Sequence, residues 1–465
     1  MSETLVKAAQ YLPTVTEPEK EQTLKQMLTW TGIVLILYFL LSSIPVFTGG
    51  STIASGALGQ LQQFQTLVGA QIGTILTLGI TPIITASIVL QMLVGSDVLP
   101  WNTNTDEGQL KFQSAQKLLA YGLTLFMALG YVLSGTFGNI GSLSTSVIAL
   151  ITGQIALGGV LIILMDDLVK KWGFGQGVSL FIAAGVSKQI IVGLISPLTE
   201  SQDLFWQVDG NPVGAIINFA VNLEPSALLP ALATLIVFAV AVYLQSMRVE
   251  IPLTFGNVRG FGQKWPLKFL YTSVMPIIFV GAIIANVQIV GSTLVNGNGT
   301  SILGTFSNGQ AQSGFASYLN APTGVIENLI SGGIAAVGAM DVFHIFFYLA
   351  VYMVGSTVFS IFWARTSGQD SQSVAEQISE TGMKVPGFRK DSRVIKKVLD
   401  RYIPGLTVLS GATMGLLAAS ANMTQAAGGG TGILLTVMII YRMYEQLAQK
   451  QLEEIHPALG DFFQT

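Results

Sequence analysis

The chain has 465 residues, of which 51% are hydrophobic and 10% are charged, with a formal net charge of −3 and a mean hydropathy of +0.61. Because soluble domains carry roughly 25% charged residues, this composition excludes an ordinary soluble protein and predicts a chain that crosses a membrane several times. The sequence has no cysteine and two histidines, His344 and His456, which excludes disulfides, cysteine nucleophiles, iron–sulfur clusters and most zinc sites.

Long windows without charged residues predict where the chain crosses the membrane. A charge at mid-bilayer costs on the order of 3 kcal/mol or more, and a crossing helix needs about 20 apolar residues. The windows predict an all-α polytopic membrane protein with ten spans. The predicted spans are residues 30–47, 72–95, 115–134, 145–165, 175–195, 226–247, 268–290, 341–363, 404–422 and 430–447.

The even number of spans puts both termini on one side of the membrane, and basic residues mark the cytoplasmic side. With cytoplasmic termini, Lys188 in the fifth span is the single Lys or Arg away from a cytoplasmic loop or flank. The sequence thus predicts cytosolic tails at residues 1–29 and 448–465. The first tail lacks the apolar core of a signal peptide, so we interpret it as retained.

Residues 51–71 carry no charge, yet they are too rich in Gly, Ser, Thr and Gln to face lipid. Irregular backbone is tolerated at membrane depth only where protein or a water-filled cavity surrounds it. We therefore favour a re-entrant segment here, with an ordinary external loop as the alternative.

Asp166 and Asp167, with Lys170 and Lys171 close behind, suggest at first a carboxylate pair for acid–base chemistry or metal binding. Because they lie at the cytoplasmic end of the fourth span, we interpret them instead as part of a solvated loop. The sequence contains no G-x-x-x-x-G-K-[ST] loop, and its two glycine-rich runs follow no strand, so no nucleotide site is predicted.

Two cytoplasmic loops, residues 248–268 and 365–403, are rich in basic residues, and the second carries eight Lys or Arg against five Asp or Glu. The positive-inside bias explains part of this excess, but it does not explain the length of the second loop. We interpret the loops as a docking surface for RNA, an acidic protein or phospholipid headgroups, with lipid alone as an open alternative. The connections at residues 196–225 and 291–340 are expected to be external.

Two short motifs occur twice along the chain. T-P-I-I-T at residues 81–85 returns as M-P-I-I-F at 275–279, and G-F-G-Q-G-V at 173–178 returns as G-G-G-T-G-I at 428–433. The pairs open the second and fifth spans of two five-span halves, residues 30–195 and 226–447, whose corresponding spans run in opposite directions. Inverted repeats of this kind place a functional site between the halves, near mid-membrane.

The predicted centre of the membrane contains no charge, although ion-coupled transporters and ion channels usually place charged groups there. An aliphatic constriction gates by shape and dewetting, and it can deform around cargo of any chemistry. That property suits a polymer of arbitrary sequence better than a single ion. The candidate residues are the polar Thr81, Thr85, Gln91 and Asn286 and the aliphatic Ile80, Ile84, Val178, Ile182, Ile278 and Leu435.

Several stretches together resemble the SecY family, the central subunits of protein-conducting channels, in its archaeal form. They are WTGIVLILYFL (30–40), IGTILTLGITPIITASIVLQMLVGS (72–96), GQGVSLFIAAGVS (175–187), MRVEIPL (247–253), VPGFRKDSRVIKKVLDRYIPGLTVLSG (385–411) and GGGTGILLTVMIIYRMYEQL (428–447). The resemblance covers essentially the whole chain, and MRVEIPL in particular resembles archaeal members.

The resemblance implies a clamshell of two five-helix halves around an hourglass pore, whose ring positions match the six aliphatic residues above. It also implies a plug at about residues 55–68 and a lateral gate where spans two and three face spans seven and eight. Thr85 and Asn286 match polar gate positions, whereas Met127 replaces a polar or acidic residue often found in relatives. The matching plug residues are Ser55, Leu58, Leu61 and Phe64.

The resemblance further implies a channel in the cell membrane, not an enzyme, without a metal or cofactor. The expected partners are a SecE-type gamma subunit, a small beta subunit, the ribosome with its nascent chain, signal sequences and membrane lipid, with no direct nucleotide. The matching ribosome-docking residues are Arg248, Arg259, Lys264, Arg389 and Arg401.

Two other functions stay open beside a passive protein-conducting channel. A secondary transporter with inverted repeats would need a small-solute site and usually a coupling charge, and the uncharged centre and the long basic loop argue against it. A membrane scaffold or insertase would differ only in whether hydrophilic chains cross, and the plug-like segment favours a pore that can be sealed.

Overall fold

A computed structural model of the protein describes Lys7, Ala9 and residues 11–20, 22–47, 73–95, 98–99, 101, 105–133, 137, 144–199, 204–206, 211–255, 262–272, 275–293, 300–307, 310–322, 338–380, 383–384 and 392–455. The chain divides into two compact units, and each is described by itself. The first comprises Met1–Val186, Ser307–Gln310 and Met443–Glu454, and the second comprises Ser187–Phe306, Ala311–Arg442 and Ile455–Thr465.

Helices dominate the described residues, and one lies at each of the ten predicted spans. The helices are α1 (Leu24–Ser43), α2 (Thr81–Gly95), α3 (Asp106–Leu133), α4 (Thr145–Trp172), α5 (Gly177–Ile195), α6 (Ala215–Asn222), α7 (Leu229–Ser246), α8 (Met275–Thr293), α9 (Phe315–Tyr318), α10 (Ala339–Thr366), α11 (Ser371–Glu380), α12 (Ser392–Leu399), α13 (Ile403–Met423) and α14 (Gly430–Ile455). In the described part of the chain, seven helical stretches are long and apolar enough to cross a membrane, and α2 and α8 contain shorter apolar stretches. The prediction of a mostly helical protein with several spans is confirmed.

The prediction of an all-α protein is wrong in detail, because two small three-stranded sheets occur in the connections between spans. One has the order β2–β1–β6 and the other β3–β4–β5. The sequence R-V-E-I-P-L-T-F of β1 mostly alternates polar and apolar residues, which is the period of a half-buried strand. The strands are β1 (Arg248–Phe255), β2 (Gly262–Lys268), β3 (Thr300–Ser301), β4 (Gly304–Ser307), β5 (Gln310–Ser313) and β6 (Met383–Lys384).

The helix of the second predicted span begins later than expected, because residues 73–80 form turns and α2 starts only at Thr81. Gly73 and Gly79 have φ angles of 91° and 52°, which no right-handed helix contains and which glycine adopts at little cost. Pro82 then occupies the first turn of α2, where its missing N–H would have no helical partner. The two glycines and the proline therefore set the start of this helix.

Backbone contacts hold this turn segment in place inside the first unit. At the end of α1, the Ile75 N–H donates to Ile44 O (3.0 Å) and the Val46 N–H donates to Gly73 O (2.8 Å). On the side of α4, Gly158 permits a close approach, since a Cβ there would lie 1.9 Å from Ile75 O. The beginning of the predicted second span is thus a packed connection between α1, α4 and α2.

The two basic loops fold together in the second unit, as a group that we call the loop subdomain: the sheet β2–β1–β6 with α11 and α12. β1 pairs with β2 in a hairpin and with β6 from the second loop. Because Lys268 ends β2, α8 begins at Met275 and not at residue 268 as predicted. One apolar core joins the sheet to α11, α12 and the start of α13, and it contains Ile251, Leu267, Ala375, Ile378, Ile395, Leu399, Ile403 and Leu406.

A buried hydroxyl cluster joins the segment before α8 to α10 and α13. Thr272 Oγ1 lies 3.0 Å from Ser360 Oγ and 2.9 Å from Ser410 Oγ, and all three side chains are fully buried. Gly411 leaves room for the cluster, since a Cβ there would lie 2.5 Å from Ser360 Oγ. Buried hydroxyls without partners are costly, so the cluster fixes how these three elements pack.

We expect Thr272→Val to lower the free energy of unfolding by about 1–2 kcal/mol, because valine keeps the shape but removes the hydroxyl that Ser360 and Ser410 share. Thr413→Val in α13 is the matched control, since that hydroxyl bonds to Leu409 O in its own helix (2.7 Å). Thermal unfolding of the purified protein in detergent measures both. Equal losses in the two variants would show that the cluster contributes no more than an ordinary helix hydroxyl.

Candidate functional site

Both copies of the P-I-I motif begin a helix. α2 and α8 each start at the residue before the proline, so Ile84 and Ile278 are each the fourth residue of their helix. The third residues, Ile83 and Ile277, are buried, whereas Ile84 and Ile278 are partly exposed. The two motifs thus have the same local structure in separate units, and both leave the fourth residue available to line a pore.

The two glycine-rich motifs also share their local structure. Gly175 and Gly428, each two residues before a helix, have φ angles of 85° and 86°, and glycine adopts this conformation without strain. In the helices that follow, α5 and α14, Ile182 and Leu435 are each the sixth residue and each only 5% exposed. The agreement supports the repeat hypothesis at a second pair of helices.

A polar side chain from the preceding helix caps each of these helix starts. Asp166 Oδ1 accepts from the Val178 N–H (2.9 Å), and Asn422 Oδ1 accepts from the Gly430 N–H (2.8 Å). The first N–H groups of a helix have no partner within the helix, and a carboxylate there also interacts favourably with the helix dipole. The caps therefore fix the first turns of α5 and α14, which carry Val178 and lead to the two sixth residues.

The interpretation of Asp166 and Asp167 as part of a solvated loop is wrong, because α4 continues to Trp172 and contains both. Asp166 is 3% exposed, and its Oδ2 lies 2.6 Å from Lys170 Nζ. Asp167 pairs with Lys117 of α3. The four-residue spacing of Asp166 and Lys170 is typical of an ion pair on a helix. This spacing in the sequence indicates that the helix continues through both residues.

Thr31 is a further residue at this end of the first unit that the sequence did not single out. Its Oγ1 accepts from the Phe174 N–H (2.8 Å) in the turn between α4 and α5, while its own hydroxyl donates to Met27 O (2.9 Å). A Cβ on Gly173 would lie 3.0 Å from the same Oγ1. The turn that leads into α5 is therefore held from α1 as well as from α4.

The remaining predicted ring residues lie in the first unit. Ile80 ends the buried turn segment before α2 and is fully buried, and its carbonyl accepts from the Ile83 and Ile84 N–H groups. Val178 is the second residue of α5 and is partly exposed. Since the ring residues are divided between the two units, their assembly into one ring stays a prediction.

The structure describes one of the two predicted gate side chains. Thr85 is partly exposed in the first turns of α2, whereas Asn286 lies in α8 with its side chain outside the described set. Gln116 Nε2 of α3 donates to Ser87 Oγ of α2 (2.6 Å), which links the two spans of the first unit that carry the predicted gate. Met127 of α3 packs against a buried apolar cluster, so this position is part of the apolar packing here.

The plug and part of the docking surface lie outside the described residues, namely Ser55, Leu58, Leu61, Phe64, Arg259 and Arg389. Arg248, at the start of β1, and Arg401, after α12, are exposed on the loop subdomain, and Lys264 lies in β2 opposite Pro252. Within the described ranges, no three His, Asp or Glu side chains lie close enough together to hold a metal ion.

Tyr271 connects the loop subdomain to the segment after α10. Its hydroxyl donates to Gln369 O (2.7 Å). Burial, with a smaller effect from the carboxylate of Asp370, raises the pKa of Tyr271 above its usual value. The hydroxyl therefore keeps its proton and remains a donor at physiological pH.

Comparisons with known proteins agree with the resemblance. The sequence model of the SecY family matches residues 74–444. The protein translocase subunit SecY of Methanothermobacter thermautotrophicus is 42% identical over 462 residues, which cover 97% of this chain and 96% of that protein.

Two solved structures with 39% sequence identity also match 98% of this chain and 99% of their own. One, with a TM-score of 0.76, concerns the plug domain of the SecY protein, which stabilises the closed state of the translocation channel and maintains a membrane seal. The other, with a TM-score of 0.75, is Sec61 in the canine ribosome–channel complex from the endoplasmic reticulum. The chain is thus similar to these proteins over nearly its full length.

Proposed function

The chain belongs to the SecY family, and from this premise we propose that it carries polypeptides across a membrane through a pore that is narrowest at a ring of aliphatic side chains. It is a multi-pass membrane protein and a subunit of a protein translocation channel. The observation that carries the ring is the matched local structure of α2 with α8 and of α5 with α14. Each of these four helices presents an aliphatic residue in its first turns.

In this proposal the halves at residues 30–195 and 226–447 close like a clamshell around the pore. The ring consists of Ile80, Ile84, Val178, Ile182, Ile278 and Leu435. None of these side chains can ionise or form a hydrogen bond, so a narrow ring of them would exclude ions by dewetting. The same ring offers a passing chain no specific partner, which suits cargo of varied sequence.

We also propose a plug at about residues 55–68 and a lateral gate between spans two and three and spans seven and eight, with Thr85 and Asn286 as polar gate residues. The gate would release signal sequences and membrane spans into lipid. Side chains in each unit support it, because they link the two spans on each side of the proposed gate. Ser87 and Gln116 join α2 to α3, while Asn320 contacts Gln288 of α8 and His344 of α10.

The partners follow from the same proposal. The loop subdomain would dock on the ribosome through Arg248, Arg259, Lys264, Arg389 and Arg401, and a SecE-type gamma subunit and a small beta subunit would complete the channel. The exposure of Arg248 and Arg401 on the loop subdomain supports this docking surface. Both termini would lie in the cytoplasm and the protein in the plasma membrane, as the distribution of basic residues favours.

Crosslinking to a translocating chain tests the ring. Because the protein has no cysteine, Ile84→Cys places a single reactive group at the proposed constriction. A ribosome-stalled chain that carries a signal sequence and a thiol-reactive probe should crosslink there. Ile278→Cys and Leu435→Cys should give the same product in the other unit.

Leu157→Cys is the control, because Leu157 lies in α4 of the same unit, outside the proposed ring and gate, and is 57% exposed. Crosslinks at the ring positions without crosslinks at Leu157 would support the pore. If no position crosslinks, and the purified protein instead takes up a small solute into vesicles, the proposal fails and a secondary transporter becomes the better explanation.

A further inference from the structure

The connection between α5 and α7 contains a short helix whose outer side is apolar. α6 spans Ala215–Asn222. Successive residues turn about 100° around a helix, so Ile216, Ala220 and Leu223 lie on one side of α6 and its continuation, and all three are exposed. Leu223 is the most exposed of them, at 73%.

The opposite side of α6 is polar, with Asn218 partly buried and Asn222 exposed to solvent. Asn222 Nδ2 donates to Asn218 Oδ1 (2.6 Å) and to Asn211 Oδ1 (3.1 Å). Asn218 and Asn211 also line a cavity of about 570 Å³, together with Glu224 and Gln425. α6 is therefore amphipathic with a fixed orientation, and its apolar side points away from the described part of the chain.

Both ends of α6 are held at the ends of membrane-crossing helices. At its start, the Gly214 N–H donates to Ser196 O (3.1 Å) and the Val213 N–H donates to Leu198 O (2.8 Å), just after α5 ends. A Cβ on Gly214 would lie 2.5 Å from Ser196 N, so only glycine allows this approach. At its other end, a short 3₁₀ helix, Pro225–Leu228, runs directly into α7. α6 is thus attached to the ends of two helices that are long and apolar enough to cross a membrane.

Leu223 has an unusual backbone conformation for a residue with a side chain. Leu223 has a φ angle of 54°, in the left-handed region that is unfavourable for residues with a Cβ. A glycine is the usual residue at this place after a helix and carries no such cost. The backbone cost at Leu223 is the same in any environment, but exposure of its side chain to water would add a second cost, which an apolar environment removes.

We propose that α6 is an interfacial helix that inserts its apolar side, Ile216, Ala220 and Leu223, among the lipid acyl chains of the leaflet in which α5 ends and α7 begins. Amphipathic helices at interfaces bury their apolar side about 5–10 Å into the boundary between headgroups and acyl chains. Ile191 and Ile195, in the last turns of α5, are exposed as well. The inference goes beyond the translocation channel and does not depend on it.

The residues of α6 favour contact with lipid acyl chains over contact with charged headgroups. α6 contains no Lys or Arg, and the nearest charged residue along the chain is the acidic Glu224. Attraction to anionic lipid, which basic interfacial helices use, is therefore absent from this segment. We expect the insertion in bilayers of zwitterionic phosphatidylcholine alone and at any salt concentration.

Fluorescence quenching tests the proposal on the full-length protein in phosphatidylcholine bilayers. A single cysteine at Ile216→Cys or Leu223→Cys is labelled with an environment-sensitive fluorophore, and Asn218→Cys and Asn222→Cys give matched controls on the polar side. A nitroxide on the upper acyl chain should quench the labels at 216 and 223 at least about threefold more than the controls. Aqueous iodide should show the reverse order.

Iodide quenching of the labels at 216 and 223 equal to that of the controls would overturn the proposal. So would shielding from both quenchers that appears only when further subunits are added, since a protein partner would then cover the apolar side. Size-exclusion profiles identical to the unlabelled protein show that each variant is folded. Because no step requires transport, failure of this inference is distinguishable from failure of the channel proposal.

Discussion

Gly158→Ala should leave little folded protein, with a loss of about 3 kcal/mol or more in the free energy of unfolding. The reason is the position of the turn segment before α2. A Cβ on Gly158 would lie 1.9 Å from Ile75 O and 2.8 Å from Ile75 C, so the clash is with backbone that cannot rotate away. Either α4 or the whole segment would have to move, and the segment leads directly to Ile80 and α2. Thermal unfolding in detergent, followed by size-exclusion chromatography, measures the loss.

Gly153→Ala provides the matched control for this prediction. Gly153 lies on the same helix, five residues earlier, and a Cβ there meets nothing within 4 Å. Alanine is the better helix former by up to about 1 kcal/mol, so this variant should be as stable as the original protein or slightly more so. A similar loss in both variants would contradict the argument, because the effect would then come from the helix and not from the contact with Ile75.

Asp166→Ala should loosen the start of α5 and lower the free energy of unfolding by about 1–3 kcal/mol. The substitution leaves the partly buried Val178 N–H without its acceptor and Lys170 without its carboxylate. Val178 is a proposed ring residue, so the consequence reaches the pore as well as the fold. Hydrogen–deuterium exchange of the amides at residues 177–180 should become faster by a factor of about ten or more, and the closed channel should leak ions.

Asp166→Asn separates the cap from the charge. Asparagine keeps an oxygen in place for the Val178 N–H, although it weakens the pair with Lys170. We expect slow exchange at the start of α5 to be largely retained in this variant. If Asp166→Asn is as damaging as Asp166→Ala, the ion pair with Lys170 and not the cap holds this helix start.

The approximate positions of the membrane-spanning helices could be predicted from the sequence, because the cost of burying a charge in the membrane largely determines them. Charged residues are excluded from the middle of a membrane, so the gaps between charges locate the spans whatever the details of packing. The two repeated motifs could be paired for a similar reason. A proline restricts the backbone locally and a glycine permits a left-handed turn, and α2, α8, α5 and α14 each begin beside one of these residues.

The errors concern features that depend on partners distant in sequence. The turn at residues 73–80 is apolar enough for a span. Its glycines permit left-handed backbone there, but its close contact with Gly158 of α4 has no counterpart in the local sequence. The role of Asp166 depends on an N–H twelve residues later in another helix. β6 is two residues long and is defined by its pairing with β1, which lies in a different loop. These interactions join residues of different elements, so no local sequence pattern indicates them.

The assembly of the ring and the gate could not be derived from local structure either. Ile278 and Leu435 lie in one unit, and Ile80, Ile84 and Ile182 lie in the other. Their motifs have matching conformations, which the repeat predicted, but a repeat does not specify the distance between its copies. The crosslinking experiment tests whether residues of both copies contact the same translocating chain.

The shared core of the loop subdomain has a mechanical consequence. The hairpin β1–β2 is the chain segment between α7 and α8, and Ile403 and Leu406 at the start of α13 belong to the same core. The loop subdomain is thus attached to three helices, so it cannot turn about any one of them alone. A force applied at the hairpin would therefore be shared among α7, α8 and α13, because the hairpin is joined to α7 and α8 along the chain and to α13 through the core.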